Sequence, residues 1–239
     1  MTIKVGMLVA GHIDDPHVSQ YTGYAEMFRR LFRLVNAPFE YQVYYVCDEQ
    51  WPDTVDSCDA WIITGSASGV YEATPWMLNL IKWVKQCYDN EIPMVGICFG
   101  HQIIAQALGG VVEKFPKGWS VGPQTYKLCN TRNTHGTFTL NAVHQDQVIV
   151  KPPQAMCIAT SDFCQYAALM YGRNILTIQA HPEFTIEYER DLLQYHSGKA
   201  IPEDVVSSAL HELSLPISLD ETKIASLMVQ VLSNRPSII

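Results

Sequence analysis

The chain contains no apolar run of about 20 residues, the length a bilayer-spanning helix requires, so no membrane partner is expected. It contains no lysine- or arginine-rich tract. Its 16 Lys and Arg against 24 Asp and Glu give a formal net charge of −8, which argues against nucleic acid as a partner. It has no Cys-x-x-Cys pair and no finger-type spacing. The seven cysteines, at 47, 58, 87, 98, 129, 157 and 164, therefore read as reduced thiols, and neither a metal nor a cofactor is expected. A Walker-type glycine loop is missing too, which removes ATP chemistry from the chain itself. The opening Met1–Val9 reads as a strand rather than a secretory leader. Reduced thiols and no leader point to the cytoplasm.

What is present is an alternation of strands and helices. With 239 residues, 48% of them hydrophobic, the chain can build one α/β core of good size. Ile3–Ala10 is a continuous apolar strand. Ser19–Val35 has Tyr24, Met27, Phe28, Leu31 and Leu34 at helical spacing. Further strands are expected at Tyr41–Val46 and Ala60–Thr64, and a helix at Pro75–Asn90 with its proline in the first turn. Between 111 and 180, short strands at Val111–Val112, Gln124–Leu128, Thr137–Leu140, Val148–Val150, Gln165–Met170 and Ile175–Gln179 lie close enough for hairpins. After 185 only helices are expected: Ile186–His196, Pro202–Leu213 and Asp220–Ser233, the last behind a Ser218…Glu221 capping box. This pattern is a mostly parallel sheet flanked by helices, with a mixed or antiparallel extension and a helical tail.

One segment carries chemistry. Ile92–Ile97 is an apolar strand, and Gly96-Ile97-Cys98-Phe99-Gly100-His101-Gln102 turns from it into a helix at Gln102–Leu108. A cysteine between two glycines at a strand-to-helix turn has the form of a nucleophile elbow. There the flanking glycines keep Cβ atoms out of the bend, and the helix dipole favours the thiolate. A thiolate nucleophile needs a base, and the base needs an orienting group. His181-Pro182-Glu183 follows the strand Asn174–Ala180, at the strand end where open α/β sheets bind ligands. In extended chain His181 and Glu183 share a side.

Gly96–Gln102 together with His181-Pro182-Glu183 resembles the signature of the class I (triad) glutamine amidotransferases. The resemblance implies a flavodoxin-like fold over most of 1–185 and a Cys98–His181–Glu183 triad. It also implies an oxyanion hole from the Phe99 and Gly65 amides. The family's Gly-Gly-Pro-type loop is replaced here by Gly65-Ser66-Ala67-Ser68, which resembles the variant loop of free-standing members related to the GMP synthase glutaminase domain. By the same resemblance, Gln102, Trp119, Ser120, His144 and Asp146 are substrate-binding candidates. His144 reads equally well as a loop residue satisfied by its neighbours, and His101 as a packing residue.

The expected organisation is an amidotransferase domain at 1–185 with a helical extension, 186–239, packed on it. That extension is open to three uses: covering the sheet, supporting a homo-oligomer, or docking a partner. The expected reaction is hydrolysis of the glutamine side-chain amide through a γ-glutamyl thioester, with ammonia passed to a separate synthetase subunit. The alternative is a free-standing γ-glutamyl peptidase. An inactive regulatory domain on the same fold is a third reading, and the retention of all three triad residues argues against it.

Overall fold

The computed structural model describes residues 2–13, 21–129 and 136–234. A nine-stranded sheet forms its centre. Five strands run parallel: β1 (Ile3–Val9), β2 (Phe39–Tyr45), β3 (Ala60–Ile63), β4 (Met94–Ile97) and β11 (Ile175–Ile178). The sheet continues antiparallel through β10 (Ala168–Tyr171), β9 (Ala155–Thr160), β6 (Ser120–Leu128) and β7 (Thr137–His144), in the order β2-β1-β3-β4-β11-β10-β9-β6-β7. A separate ribbon pairs β5 (Val111–Lys114) with β8 (Asp146–Val150).

The inner parallel strands β3 and β4 read as unbroken apolar runs because both of their faces are buried, unlike β2 at the sheet edge. Val5, Met7 and Val9 of β1 join one core, and Leu8 with Ala10 joins the other. The same period of two divides β3, with Ala60 and Ile62 on one side and Trp61 and Ile63 on the other. The first core is closed by α1 (Tyr24–Leu34) and α6 (Glu221–Leu232), through Phe28, Leu31, Ile224 and Met228. The second is closed by α2 (Pro75–Asp89) and α3 (Phe99–Ala107), through Leu80, Val84, Ile103 and Ile104. In the tail, α4 (Ile186–His196) and α5 (Glu203–Glu212) pack on β6, where Leu193, Val206 and Ala209 meet Val121.

Several elements are shifted from the sequence expectation, α3 beginning at Phe99 rather than Gln102, β6 at Ser120 rather than Gln124 and β10 at Ala168 rather than Gln165; three further differences have a plain physical cause. The first helix starts at Tyr24, because Thr22 (φ 58°) and Gly23 (φ 100°) are left-handed and break the helical path; Ser19 and Gln20 lie outside the described residues. The strand β9 was not expected, since Ala155-Met156-Cys157-Ile158-Ala159-Thr160 has few residues of high strand propensity and forms through its neighbours β6 and β10. The cap of α6 is Asp220 rather than Ser218. Its carboxylate accepts the Thr139 N–H (2.8 Å) instead of capping the helix, which ties the tail to β7.

Candidate active site

The bend after β4 is sharp because Cys98 itself takes the strain. Its dihedrals are φ 52° and ψ −103°, a region that side-chain-bearing residues rarely occupy. The Cys98 N–H donates to the Ile178 carbonyl of β11 (2.8 Å), and its own carbonyl accepts from the Gln102 N–H (3.0 Å), so both sides of the bend are tied down. The flanking glycines serve close approach rather than left-handed backbone. A Cβ on Gly96 would lie 2.5 Å from the Gly100 carbonyl oxygen, and one on Gly100 would lie 2.3 Å from the Ile63 carbonyl oxygen. Backbone cannot yield there as a flexible side chain would. Gly100→Ala is therefore expected to destabilise the fold by at least about 3 kcal/mol, the upper end of ordinary overpacking, as read from the urea midpoint.

His181 is delivered from the end of β11. Its N–H donates to the Asn141 carbonyl of β7 (2.8 Å), and the Asn141 amide nitrogen reaches the Phe184 and Thr185 carbonyls at 3.3 and 3.2 Å. The ring stacks on Phe184, with centroids 3.9 Å apart and planes 5° from parallel. Nδ1 lies 2.7 Å from Glu183 Oε1, and Glu183 is fully buried. The Arg30 guanidinium donates to the Glu183 carbonyl oxygen at 2.9 Å, fixing that turn to α1. On its other side the ring meets Gly65, where a Cβ would come within 2.9 Å of His181 Cε1 and 3.8 Å of Cys98 Cβ. Backbone of the β3 exit, the thiol and the imidazole thus meet at one point.

Three buried histidines surround this point, and their charge states diverge. Burial pushes His101 and His144 down to about 3, so both are neutral at physiological pH. Burial acts on His181 in the same direction, but the Glu183 carboxylate and the Cys98 thiolate outweigh it and hold the ring well above its ordinary value. Only the histidine with a carboxylate partner keeps its proton. His101 is a packing residue, its Nδ1 2.8 Å from Thr177 Oγ1.

Cys98 and His181 line a cavity of about 430 Å³ together with Gln102, Trp119, His144 and Asp146. Ser120 is not brought to it; it starts β6, buried, opposite His144 in the ladder. Gln102 turns inward: its amide nitrogen donates to the Asp146 carbonyl (2.9 Å) and to Gln179 Oε1 (3.1 Å), so it braces the wall. His144 ends β7 rather than lying in a loop; its Nδ1 lies 3.2 Å from the Asp146 carbonyl, and its buried Nε2 has no partner among the described residues. The Asp146 carboxylate accepts from the Tyr71 hydroxyl (3.3 Å), and partial burial raises it. Phe99 is buried as the first residue of α3, where a backbone N–H has no intrahelical carbonyl to bond.

Sequence reasoning missed Gln179 and Asn141. The Gln179 amide nitrogen lies 3.6 Å from Cys98 Sγ. The signal was present: Thr177, Gln179 and His181 are polar positions two apart in an otherwise apolar stretch, all facing the elbow. Asn141, inside a strand on another part of the chain, gave no such signal.

Below His181, Glu189 of α4 is fully buried and accepts the Gly122 N–H at 2.9 Å. Burial pushes its carboxyl up to about 8, against the opposing pull of His181 and of that N–H. The folded protein therefore holds a proton that the unfolded chain releases above its ordinary value of 4.5. Stability from this group is complete below that value and is lost as pH climbs to about 8. The loss is about 1.4 kcal/mol per pH unit while one proton separates the two states. Glu189→Gln is expected to flatten that slope and to be more stable than the parent at the alkaline end, measured by urea unfolding across the window.

An open α/β sheet that sets a thiol at a strand-to-helix bend, beside a histidine–glutamate pair from the next strand, defines a class of protein by layout alone. Within it, the chain belongs to the glutamine amidotransferase class-I family, whose model matches residues 19–196. A glutamine amidotransferase-like protein of Schizosaccharomyces pombe is 30% identical over 212 residues, 79% of this chain and 83% of that one. Gamma-glutamyl peptidase 5 of Arabidopsis thaliana is 28% identical over 178 residues, 70% of each chain. The solved glutamine amidotransferase of Thermotoga maritima shares the fold, with a TM-score of 0.73 over 98% of both chains at 16% identity. Among the described residues no helix is long and apolar enough to cross a membrane.

Proposed function

We propose that this chain hydrolyses the side-chain amide of glutamine through a γ-glutamyl thioester on Cys98. The observation that carries the reading is the strained Cys98 thiol and the His181 ring on one cavity, with the buried Glu183 behind the ring, 2.7 Å from its Nδ1. The Cys98 thiolate attacks the amide carbonyl, and the oxyanion takes hydrogen bonds from the Phe99 and Gly65 N–H groups; one such donor is typically worth about 10²–10³ in rate. The His181 imidazolium, whose Nδ1 is held by Glu183, gives its proton to the leaving nitrogen, and the amine departs. His181 then takes a proton from water, which attacks the thioester carbonyl. Glutamate leaves, and the thiolate and imidazolium are restored.

Residues 1–185 would form the amidotransferase domain, with 186–239 as its extension. Use of the ammonia would fall to a synthetase partner. One finding favours a second reading, a γ-glutamyl peptidase: the Arabidopsis thaliana relative that matches 70% of this chain is a gamma-glutamyl peptidase. Purified protein offered glutamine and a series of γ-glutamyl peptides separates the two. Glutamate release from glutamine that only a partner subunit accelerates supports the first reading. Fast release from peptides by the chain alone supports the second, and no release from any donor sinks both.

A further inference from the structure

Outside this cavity, three metal-ligand side chains meet at the edge of the sheet. We infer that His12, Cys47 and Asp48 bind one divalent cation of the zinc class. The fold delivers them together: β1 and β2 are parallel neighbours in register through Val9 and Tyr45, His12 lies three residues beyond β1, and Cys47 and Asp48 lie in the 3₁₀ turn after β2. His12 is flat against Tyr45, with centroids 5.3 Å apart and planes 9° from parallel, which sets the direction of its ring.

His12 Nε2 lies 2.9 Å from each Asp48 carboxylate oxygen and 3.7 Å from Cys47 Sγ. One atom from each residue falls within 4.8 Å of the other two. Tetrahedral zinc with bonds of about 2.0–2.3 Å holds its ligands about 3.3–3.7 Å apart. The nitrogen–sulfur separation already matches, and the nitrogen–oxygen separation has only to open by a few tenths of an ångström. A cation at their centre would take a lone pair from all three side chains at once. Imidazole, thiolate and carboxylate select a borderline-soft ion over Mg²⁺ or Ca²⁺. His12 and Asp48 are each 44% exposed at the side chain, so water has access to a fourth position. On coordination the Cys47 thiol gives its proton to solvent, and the two anionic ligands balance the ion's charge. His12 and Asp48 are 36 positions apart, a spacing no sequence motif would flag.

The site is separate from the Cys98 cavity, yet it neighbours the Gly65 loop. Gly11 packs against Ser66, and the Ala10 N–H donates to Thr64 Oγ1 at 3.0 Å. The ion would clamp the exits of β1 and β2 beside that loop. The test is Co²⁺ titration of metal-stripped Cys98→Ala protein, in which the elbow thiol is gone. One equivalent should bind with a thiolate-to-cobalt charge-transfer band and tetrahedral visible bands, and Zn²⁺ should displace it. Cys47→Ser in that background should remove the charge-transfer band. His12→Ala and Asp48→Asn should each weaken binding by about 100-fold or more, since loss of an outer partner alone costs 10–100-fold. Saturating Zn²⁺ should raise the melting temperature of the parent and not of Cys47→Ser. Absence of the charge-transfer band, or its persistence in Cys47→Ser, overturns the assignment.

Discussion

Cys98→Ser is expected to lower release of glutamate from any γ-glutamyl donor by at least about 10⁴-fold, the scale on which a nucleophile's loss is felt when the rest of its site remains. The reason is the thiolate. A serine hydroxyl stays protonated at neutral pH, and it also removes the sulfur anion that helps hold His181 in its protonated form. Both the attacking charge and part of the general acid disappear together. The fold should be unaffected. Serine is nearly isosteric, accepts the same strained backbone, keeps the N–H bond to Ile178 and leaves the glycine contacts untouched. Circular dichroism and the urea midpoint should therefore match the parent while activity is lost. Turnover surviving in this variant would remove the cysteine from the mechanism.

The elbow was legible in the sequence because the residues that form it are contiguous. Glycine on each side of Cys98 is demanded by contacts with backbone, and no side chain could substitute. His181-Pro182-Glu183 was legible because the imidazole and its carboxylate are two residues apart in the chain, although the tripeptide forms a turn tied by Asn141 and Arg30 rather than the extended segment expected. The inner parallel strands β3 and β4 announced themselves through burial on both faces. What stayed hidden depends on partners distant in the chain. Asn141 matters only because β7 lies against the His181 turn, and β9 is a strand only because β6 and β10 offer it two ladders. Ser120 was a substrate candidate by the family resemblance of its segment, whereas the ladder with β7 buries it. Gln102 read as a substrate donor, but its amide is consumed by Asp146 and Gln179, neither of them near it in sequence.

Glu183→Gln tests whether the buried carboxylate sets the charge of His181. In the parent, burial favours the neutral ring, and the Glu183 carboxylate is the largest of the forces that overcome it. Glutamine fills the same space and can still accept the Nδ1–H bond with its oxygen, so the fold and the cavity should persist. Without the negative charge the desolvation of the ring dominates, as it does for His101 and His144, and His181 should lose its proton at a lower pH. The sign follows directly. In the parent, the proton needed by the leaving nitrogen is present until pH rises through the elevated value of His181. In the variant, that alkaline limb of kcat should move toward acid. At neutral pH kcat should fall by about 10²–10⁴-fold, between the usual worth of general acid catalysis and the loss seen when a triad carboxylate is neutralised. The KM for the donor should change little, because Glu183 lies behind the ring and does not line the cavity. A full pH profile separates this from a packing defect, which would lower kcat at every pH without moving the limb. An unshifted alkaline limb would show that His181 owes its proton to something other than Glu183.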